Sequence, residues 1–146
     1  MKVISKTLIA GLVLVAGVAA AKEGVQDPTV KARMDLMGLN ARNAKILGDM
    51  AGNKAPFDAA AAAAAKAAII ANSAEIPVKF EPQATDPVSE AKPEIWTNWA
   101  DFISKANGLG TAAAAVDTAS LEGIKAGMGG IGGACKACHE TYRAED

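Results

Sequence analysis

The sequence predicts an all-α protein folded as an antiparallel up-down-up-down four-helix bundle. Three observations support this fold class. Apolar or small residues recur at steps of three and four along several segments, as they do on one face of a helix. A run of seven alanines, residues 59–65, has high helix propensity. The first and last connections between the predicted helices are short, which favours antiparallel neighbours.

Residues 1–21 are predicted to be a secretory signal peptide. Two lysines precede an apolar run over residues 8–18, and three alanines end the segment. The run is too short to cross a bilayer comfortably, and the Ala-x-Ala ending predicts cleavage before Lys22. Residues 22–146 are therefore predicted to form one bundle domain in the periplasm, with no membrane association after cleavage.

The mature chain has a slightly acidic charge balance. Without Lys2 and Lys6, 13 of the 15 basic side chains remain against 16 acidic ones, which gives a formal net charge of −3. This balance does not favour a nucleic-acid partner, because such partners select basic surfaces.

The first helix is predicted to begin at Asp27 and Pro28, since aspartate caps a helix well and proline suits its first position. Gly52 predicts its end. Its predicted inward face consists of Val30, Met34, Met37, Ala41, Ala44, Gly48 and Ala51. The alanine-rich second helix is predicted to start after Asp58 and to end at Pro77.

Residues 76–92 are predicted to form a loop, because they carry three prolines and little periodicity. Pro93 predicts the start of the third helix. This helix is expected to reach about Val116, weakened at Gly108 and Gly110.

The fourth helix is expected to follow Asp117 or Ser120, either of which can cap it. Its apolar stripe steps by three and four residues. The stripe consists of Leu121, Ile124, Met128, Ile131, Cys135, Cys138 and Tyr142. Since both cysteines lie on this stripe, a group attached to them is predicted to lie inside the bundle.

The segment Cys135-Lys136-Ala137-Cys138-His139 has the Cys-x-x-Cys-His pattern of covalent c-type haem attachment. At such a site both thiols form thioethers with the haem, and the histidine is the proximal ligand of the iron. On a helix the three side chains leave from one face. The sequence therefore predicts one haem c attached through Cys135 and Cys138, with His139 bound to iron.

Two other interpretations of the motif are weaker. A thioredoxin-like dithiol normally lies near a βαβ pattern, and no alternating strand pattern accompanies this one. A structural zinc site needs four ligands, whereas the motif offers three and the chain has no further cysteine or histidine. No cysteine remains for a structural disulfide.

With this motif at its C-terminal end, the chain resembles the class II c-type cytochromes, the cytochrome c′ family. Class I cytochromes c carry the motif near the N-terminus instead. The resemblance also rests on Arg33-x-x-x-Met37, Asn40-Ala41-Arg42-Asn43, Leu47-Gly48, residues 52–58 and Glu140-Thr141-Tyr142-Arg143. It implies a four-helix bundle around the haem, redox partner proteins, and a homodimer formed through the first two helices.

The resemblance leaves two functions open, which differ at Met37. In the low-spin branch of the family a methionine at this position is the sixth iron ligand, and the protein resembles an electron carrier. High-spin members are usually five-coordinate and bind nitric oxide or carbon monoxide. The segment 36–58 is more similar to the low-spin branch, so one-electron transfer is the first prediction and gas binding the alternative. An enzyme is not expected, since a peroxidase would need a distal histidine.

Reach within the chain narrows the choice of a second iron ligand. His139 is the only histidine, which excludes bis-histidine ligation within one chain. Met128 precedes it on the same helix by about 16 Å and cannot reach the opposite haem face. Met50 lies roughly 20 Å along the first helix from Met37. Met37 therefore remains, with Met34 as the fallback and a core-filling role as the other interpretation of Met37.

The resemblance also implies roles for two arginines. Arg33 would pair with a haem propionate, which its charge allows. Arg143 follows His139 by four residues and would modulate the proximal imidazole. Either arginine could instead be a solvated surface charge.

Overall fold

Four long helices and one short helix account for most of residues 24–144, the part of the chain that the computed structural model describes. They are α1 (Pro28–Ala51), α2 (Ala59–Phe80), α3 (Glu94–Thr97), α4 (Trp99–Ala114) and α5 (Leu121–Tyr142). Both α1 and α4 pack against α2 and α5, so the long helices form a closed ring. The predicted all-α four-helix bundle is confirmed. The predicted signal peptide lies outside the described residues.

Contacts at the two ends of the bundle establish that α1 and α5 run antiparallel. The loop 81–93 bonds to the start of α1, where the Asp86 carboxylate accepts from the backbone N–H of Asp27 at 2.9 Å. The same loop bonds to the backbone at the C-terminal end of α5. Near the opposite end of these helices, Gly48 of α1 lies beside the side chain of Met128.

The inward face of α1 differs from its prediction. Met34 is 49 % exposed, whereas the polar residues Arg33 and Asn40 are buried. Leu36 and Leu47 supply apolar contacts to the core. Met37, which was predicted to face inward, is half-buried and packs against the core. The pattern was wrong because it counted only apolar and small residues as inward, while this helix also faces a loop and a cavity that accept polar groups.

The helix α2 continues past Pro77 to Phe80, although the sequence predicted that it would end at the proline. Proline removes one backbone donor, but side chains from elsewhere support the last turn. Arg33 Nε and Trp96 Nε1 donate to the carbonyls of the last two residues of α2, at 3.0 and 2.7 Å. These bonds satisfy carbonyls that a helix end leaves unpaired. The following loop therefore spans only 81–93.

The predicted third helix is divided into α3 and α4, and the division falls at Asn98 rather than at Gly108 or Gly110. The Asn98 N–H bonds to the carbonyl of Glu94 at 2.9 Å and closes α3. α4 then continues through both glycines. A Cβ at Gly110 would lie 2.4 Å from Ser73 Oγ, so glycine permits the close approach of α2 and α4.

The helix α5 agrees with its prediction. Ser120 is the N-cap, and its Oγ accepts from the N–H of Gly123 at 3.0 Å. On the predicted stripe Ile124, Ile131 and Tyr142 are buried. Both cysteines are half-buried and pack against the core.

By length and composition, α2 is the one described helix that could cross a membrane. Alanine contributes most of its apolar residues. Since Ala62, Ala65 and Ile69 are buried and α2 packs against α1 and α4, we describe it as a helix of the bundle.

Candidate functional site

A cavity of about 550 Å³ lies at the end of the bundle where the loop 81–93 meets α1 and α5. All four long helices contribute to its lining, which is mostly apolar. The volume is in the range of protein sites for small molecules and cofactors. All six residues predicted to form the site line it: Arg33, Met37, Cys135, Cys138, His139 and Arg143.

The two thiols lie on the cavity side of α5, one helical turn apart. Burial raises the pKa of Cys135. Burial also raises the pKa of Cys138, although the positive charge of Lys105 partly opposes the shift. Both sulfurs are therefore protonated thiols at neutral pH in the chain without an attached group.

His139 follows Cys138 directly. It lines the cavity and is also exposed to solvent. The surrounding protein removes part of the imidazole's solvent and so lowers the pKa of His139. Arg143 lowers it further and Glu90 opposes the shift. The imidazole is thus neutral at pH 7, which is the form that binds a metal.

Met37 faces the same cavity from α1. Gly48 of α1 and Met128 of α5 are in contact. Met37 lies eleven residues before Gly48, and His139 lies eleven residues after Met128, so both lie toward the loop 81–93. Equal steps along antiparallel helices cover equal distances, about 16 Å here. Met37 and His139 therefore lie at approximately the same level of the bundle. Met34, the fallback ligand, lies at the rim and is 49 % exposed.

Arg33 is 2 % exposed, so it is not a solvated surface charge. Its guanidinium lies between two aromatic rings, 5.0 Å from the centroid of Phe80 and 5.2 Å from that of Trp96. Burial lowers the pKa of Arg33, but an arginine stays charged at neutral pH. Its three nitrogens donate to the carbonyls of Lys79, Pro82 and Ala84. These bonds join α1 to the end of α2 and to the loop that follows it. The contact with a propionate stays a prediction.

Arg143 lies at the C-terminal end of α5, where its Nε donates to the carboxylate of Glu90 in an ion pair. Its backbone N–H bonds to the carbonyl of His139 at 3.0 Å. The guanidinium is near enough to lower the pKa of His139, as expected for a residue beside the imidazole. Glu90 could not be predicted as this partner from the sequence, because it is 53 positions from Arg143 and carries no local signal.

Tyr142 extends the site toward α4, where it has partners that could not be predicted from the sequence. Its ring meets that of Phe102 edge-on, with the centroids 5.4 Å apart. Its hydroxyl donates to Asp101 Oδ2 at 2.6 Å. This hydrogen bond to a carboxylate, with burial and the negative charge adding to it, raises the pKa of Tyr142 to about 12.

The phenol of Tyr142, the only tyrosine in the chain, is expected to ionise near pH 12 in the folded protein. An unperturbed tyrosine has a pKa of about 10. Its contribution to stability is therefore fully present below about pH 10 and is lost as the pH rises through about 12. Ultraviolet difference spectroscopy measures the phenolate, and circular dichroism at each pH checks that the chain is still folded.

Replacing Asp101 with asparagine should move that midpoint toward 10, because it removes the charged acceptor. Asp35→Asn is the matched control, since Asp35 forms an exposed ion pair with Lys31 on α1. A midpoint that stays near 12 without the Asp101 carboxylate would contradict this assignment.

The residues around the cavity fit a covalently attached haem better than a metal ion held by side chains. Within residues 24–144 no group of three or more histidine, cysteine, aspartate or glutamate residues could hold a metal ion. Cys135, Cys138 and His139 instead present an attachment motif to a mostly apolar cavity. The amide of Asn40, 7 % exposed, has no partner among the described residues, so a bound group can satisfy it.

Comparisons with known proteins agree with this fit. The family model described as Cytochrome C' matches residues 28–143. Cytochrome c-554 of Cereibacter sphaeroides is 36 % identical over 143 residues, covering 91 % of this chain and 92 % of that protein.

Solved structures also match the fold. A cytochrome c' from Rhodobacter Spheriodes gives a TM-score of 0.74 at 29 % identity, covering 81 % of this chain and 96 % of that one. A nitric oxide complex of a variant cytochrome c prime from Alcaligenes xylosoxidans gives 0.70 at 28 % identity, covering 80 % and 94 %. Because the family match extends from the first residue of α1 through the attachment motif, the chain belongs to the cytochrome c′ family and carries covalently bound haem c.

Proposed function

We propose that this cytochrome is a periplasmic one-electron carrier whose haem iron has His139 and Met37 as its axial ligands. The observation that carries the proposal is the placement of both side chains at approximately the same level of α1 and α5, on the lining of one cavity. A methionine opposite a histidine raises the reduction potential and leaves no open position on the iron.

Bound haem supplies the one-electron iron couple. The chain's part is to present the same two ligands in both oxidation states. His139 is neutral near pH 7, and Met37 lies well inside the 24-residue helix α1. The loop 81–93 bonds to both helices and so fixes them relative to each other. With both helices fixed in this way, neither ligand would have to move on reduction, which would keep the structural reorganisation of electron transfer small.

The proposal extends to the cellular setting. Residues 1–21 act as the export signal, and residues 22–146 form the periplasmic domain that exchanges electrons with redox partner proteins. Arg33 contacts a haem propionate and Arg143 modulates the imidazole of His139. Substrate turnover is not part of the proposed role.

We further propose that the protein forms a homodimer through its first two helices. Several large apolar side chains are exposed on these helices, at 40 to 57 % of their full area. They are Met34, Leu39 and Ile46 on α1 and Val78 on α2. Pairing two copies would remove this apolar surface from water.

The alternative function is binding of nitric oxide or carbon monoxide at a five-coordinate iron. The similar structure from Alcaligenes xylosoxidans, which is a nitric oxide complex, favours this alternative. In that case Met37 fills the cavity without binding iron, as methionine often does in irregular cores.

Visible spectra of the unmodified protein in both oxidation states test the proposed function. The proposed ligands predict a low-spin ferric spectrum with a sulfur-to-iron charge-transfer band, and a ferrous form that binds carbon monoxide slowly or weakly. A high-spin ferric spectrum with rapid carbon monoxide uptake would overturn the electron-carrier proposal and favour gas binding.

A further inference from the structure

Asn40 lies on the lining of the cavity, and its amide has no hydrogen-bond partner. The residue is 7 % exposed, and both Nδ2 and Oδ1 are shielded from solvent. Among residues 24–144 these are the only buried side-chain nitrogen or oxygen atoms without a partner. A buried amide in this state loses its bonds to water without replacement. The observation therefore points to a partner outside the polypeptide.

The charged side chains that share the cavity are already engaged with the protein. Arg33 donates to three carbonyls, and Lys105 lies 3.9 Å from the Asp101 carboxylate. Glu90 and Arg143 form an ion pair with each other. Asn40 differs from them because nothing in the described polypeptide bonds to it.

The position of Asn40 along α1 indicates which part of a bound haem would lie nearest to it. Asn40 lies eight residues before Gly48, and position 136 lies eight residues after Met128. Asn40 is therefore approximately level with position 136, between the two cysteines. Arg33 and Arg143 lie further toward the loop 81–93. The vinyl groups that cysteines bind are on the opposite side of a haem from its propionates. A haem attached through the cysteines would therefore direct its propionates toward the arginines and away from Asn40.

The polar group of such a haem site that would remain within reach of Asn40 is a ligand bound to the iron on the α1 side. Asn40 follows Met37 by three residues, so the two side chains leave α1 on neighbouring parts of one face. The carboxamide has two N–H groups that can donate to a ligand with a lone pair.

We propose that Asn40 is the hydrogen-bond donor to the axial ligand on the α1 side of the haem iron. This inference rests on the proposed function, which places the ligand on the α1 side of the iron. It adds Asn40 as a residue that favours ligands able to accept a hydrogen bond. With Met37 on the iron, the acceptor is the methionine sulfur. With Met37 replaced, the acceptor is the distal atom of an exogenous diatomic ligand, which Asn40 then retains.

Carbon monoxide bound to the ferrous Met37→Leu holoprotein is the probe. An N–H that donates to the oxygen of carbon monoxide favours electron donation from iron to the ligand and weakens the C–O bond. Adding Asn40→Leu removes the donor with a side chain of similar size. The C–O stretch in the infrared spectrum should then shift to higher wavenumber. Carbon monoxide should dissociate about two- to tenfold faster, as expected for the loss of one neutral hydrogen bond.

Asn43→Leu in the same Met37→Leu background is the matched control. Asn43 also lies on α1, but it does not line the cavity and its Nδ2 donates to the carbonyl of Leu39 at 2.8 Å. This control should leave both the C–O stretch and the dissociation rate unchanged. An unchanged stretch in the Asn40 variant, or equal shifts in the two variants, would overturn the proposal.

The experiment distinguishes failure of this inference from failure of the proposed function. If the unmodified protein binds carbon monoxide at an open position, the electron-carrier proposal fails. The Asn40→Leu and Asn43→Leu comparison is then made without the Met37 replacement. The difference in C–O stretch decides the role of Asn40 in the same way.

Discussion

The Met37→Leu variant is expected to convert the ferric haem from low spin to high spin and to abolish the sulfur-to-iron charge-transfer band. Leucine fills a similar volume but offers no lone pair, so the iron loses its ligand from α1 while the bundle is retained. Carbon monoxide no longer competes with an internal ligand. If the methionine is dissociated in about 1 % of the ferrous protein, the apparent affinity of the ferrous form should rise on the order of a hundredfold. Visible spectra and carbon monoxide titration measure both effects.

Met34→Leu is the control for this prediction. Met34 lies one turn earlier on α1 and reaches the rim of the same cavity, but it is 49 % exposed. We expect its replacement to leave the spin state unchanged. If Met34→Leu rather than Met37→Leu produces the high-spin spectrum, the ligand is the fallback residue.

The Cys135→Ala/Cys138→Ala variant is expected to lose covalent haem and much of its stability. Acid–organic extraction should leave haem with the unmodified protein, whereas any haem in the variant should pass into the organic phase. The cavity of about 550 Å³ then exposes apolar lining from all four long helices. Burial of about 200 Å² of apolar surface is worth about 5 kcal/mol, and its loss should lower the melting temperature by roughly 20 °C.

Lys136→Ala is the matched control, because Lys136 lies between the two cysteines and its side chain is 74 % exposed. Its ion pair with Glu140 is on the surface, so its loss should change the free energy of unfolding by less than about 1 kcal/mol. Thermal unfolding followed by circular dichroism compares the variants. A double-alanine variant that melts without haem as high and as cooperatively as the haem protein would show that the cofactor does not organise the core.

Features that depend on neighbouring residues were predicted correctly from the sequence. The attachment motif, the caps at Asp27 and Ser120, and the inward stripe of α5 all agree with the structure. A cap is fixed by contacts within one helical turn, and a stripe follows from the helical period. The sequence also placed Met37 on the inward face of α1, where it lines the cavity.

Features that depend on distant residues could be seen only in the tertiary structure. α2 continues past Pro77 because Arg33 and Trp96 bond to its last carbonyls, and neither residue is near it in sequence. The burial of Asn40 was missed because a polar side chain gives no apolar signal.

The haem attachment motif, the four long helices and the methionines within reach of the iron could all be predicted from the sequence. The approximate register of α1 against His139 came from packing between helices, which also brought Glu90 to Arg143 and Asp101 to Tyr142. The two groups of features differ in the range of the interactions that set them. Propensity, capping and periodicity act within a few residues, whereas helix register and buried polar contacts depend on packing between segments that lie far apart in the chain.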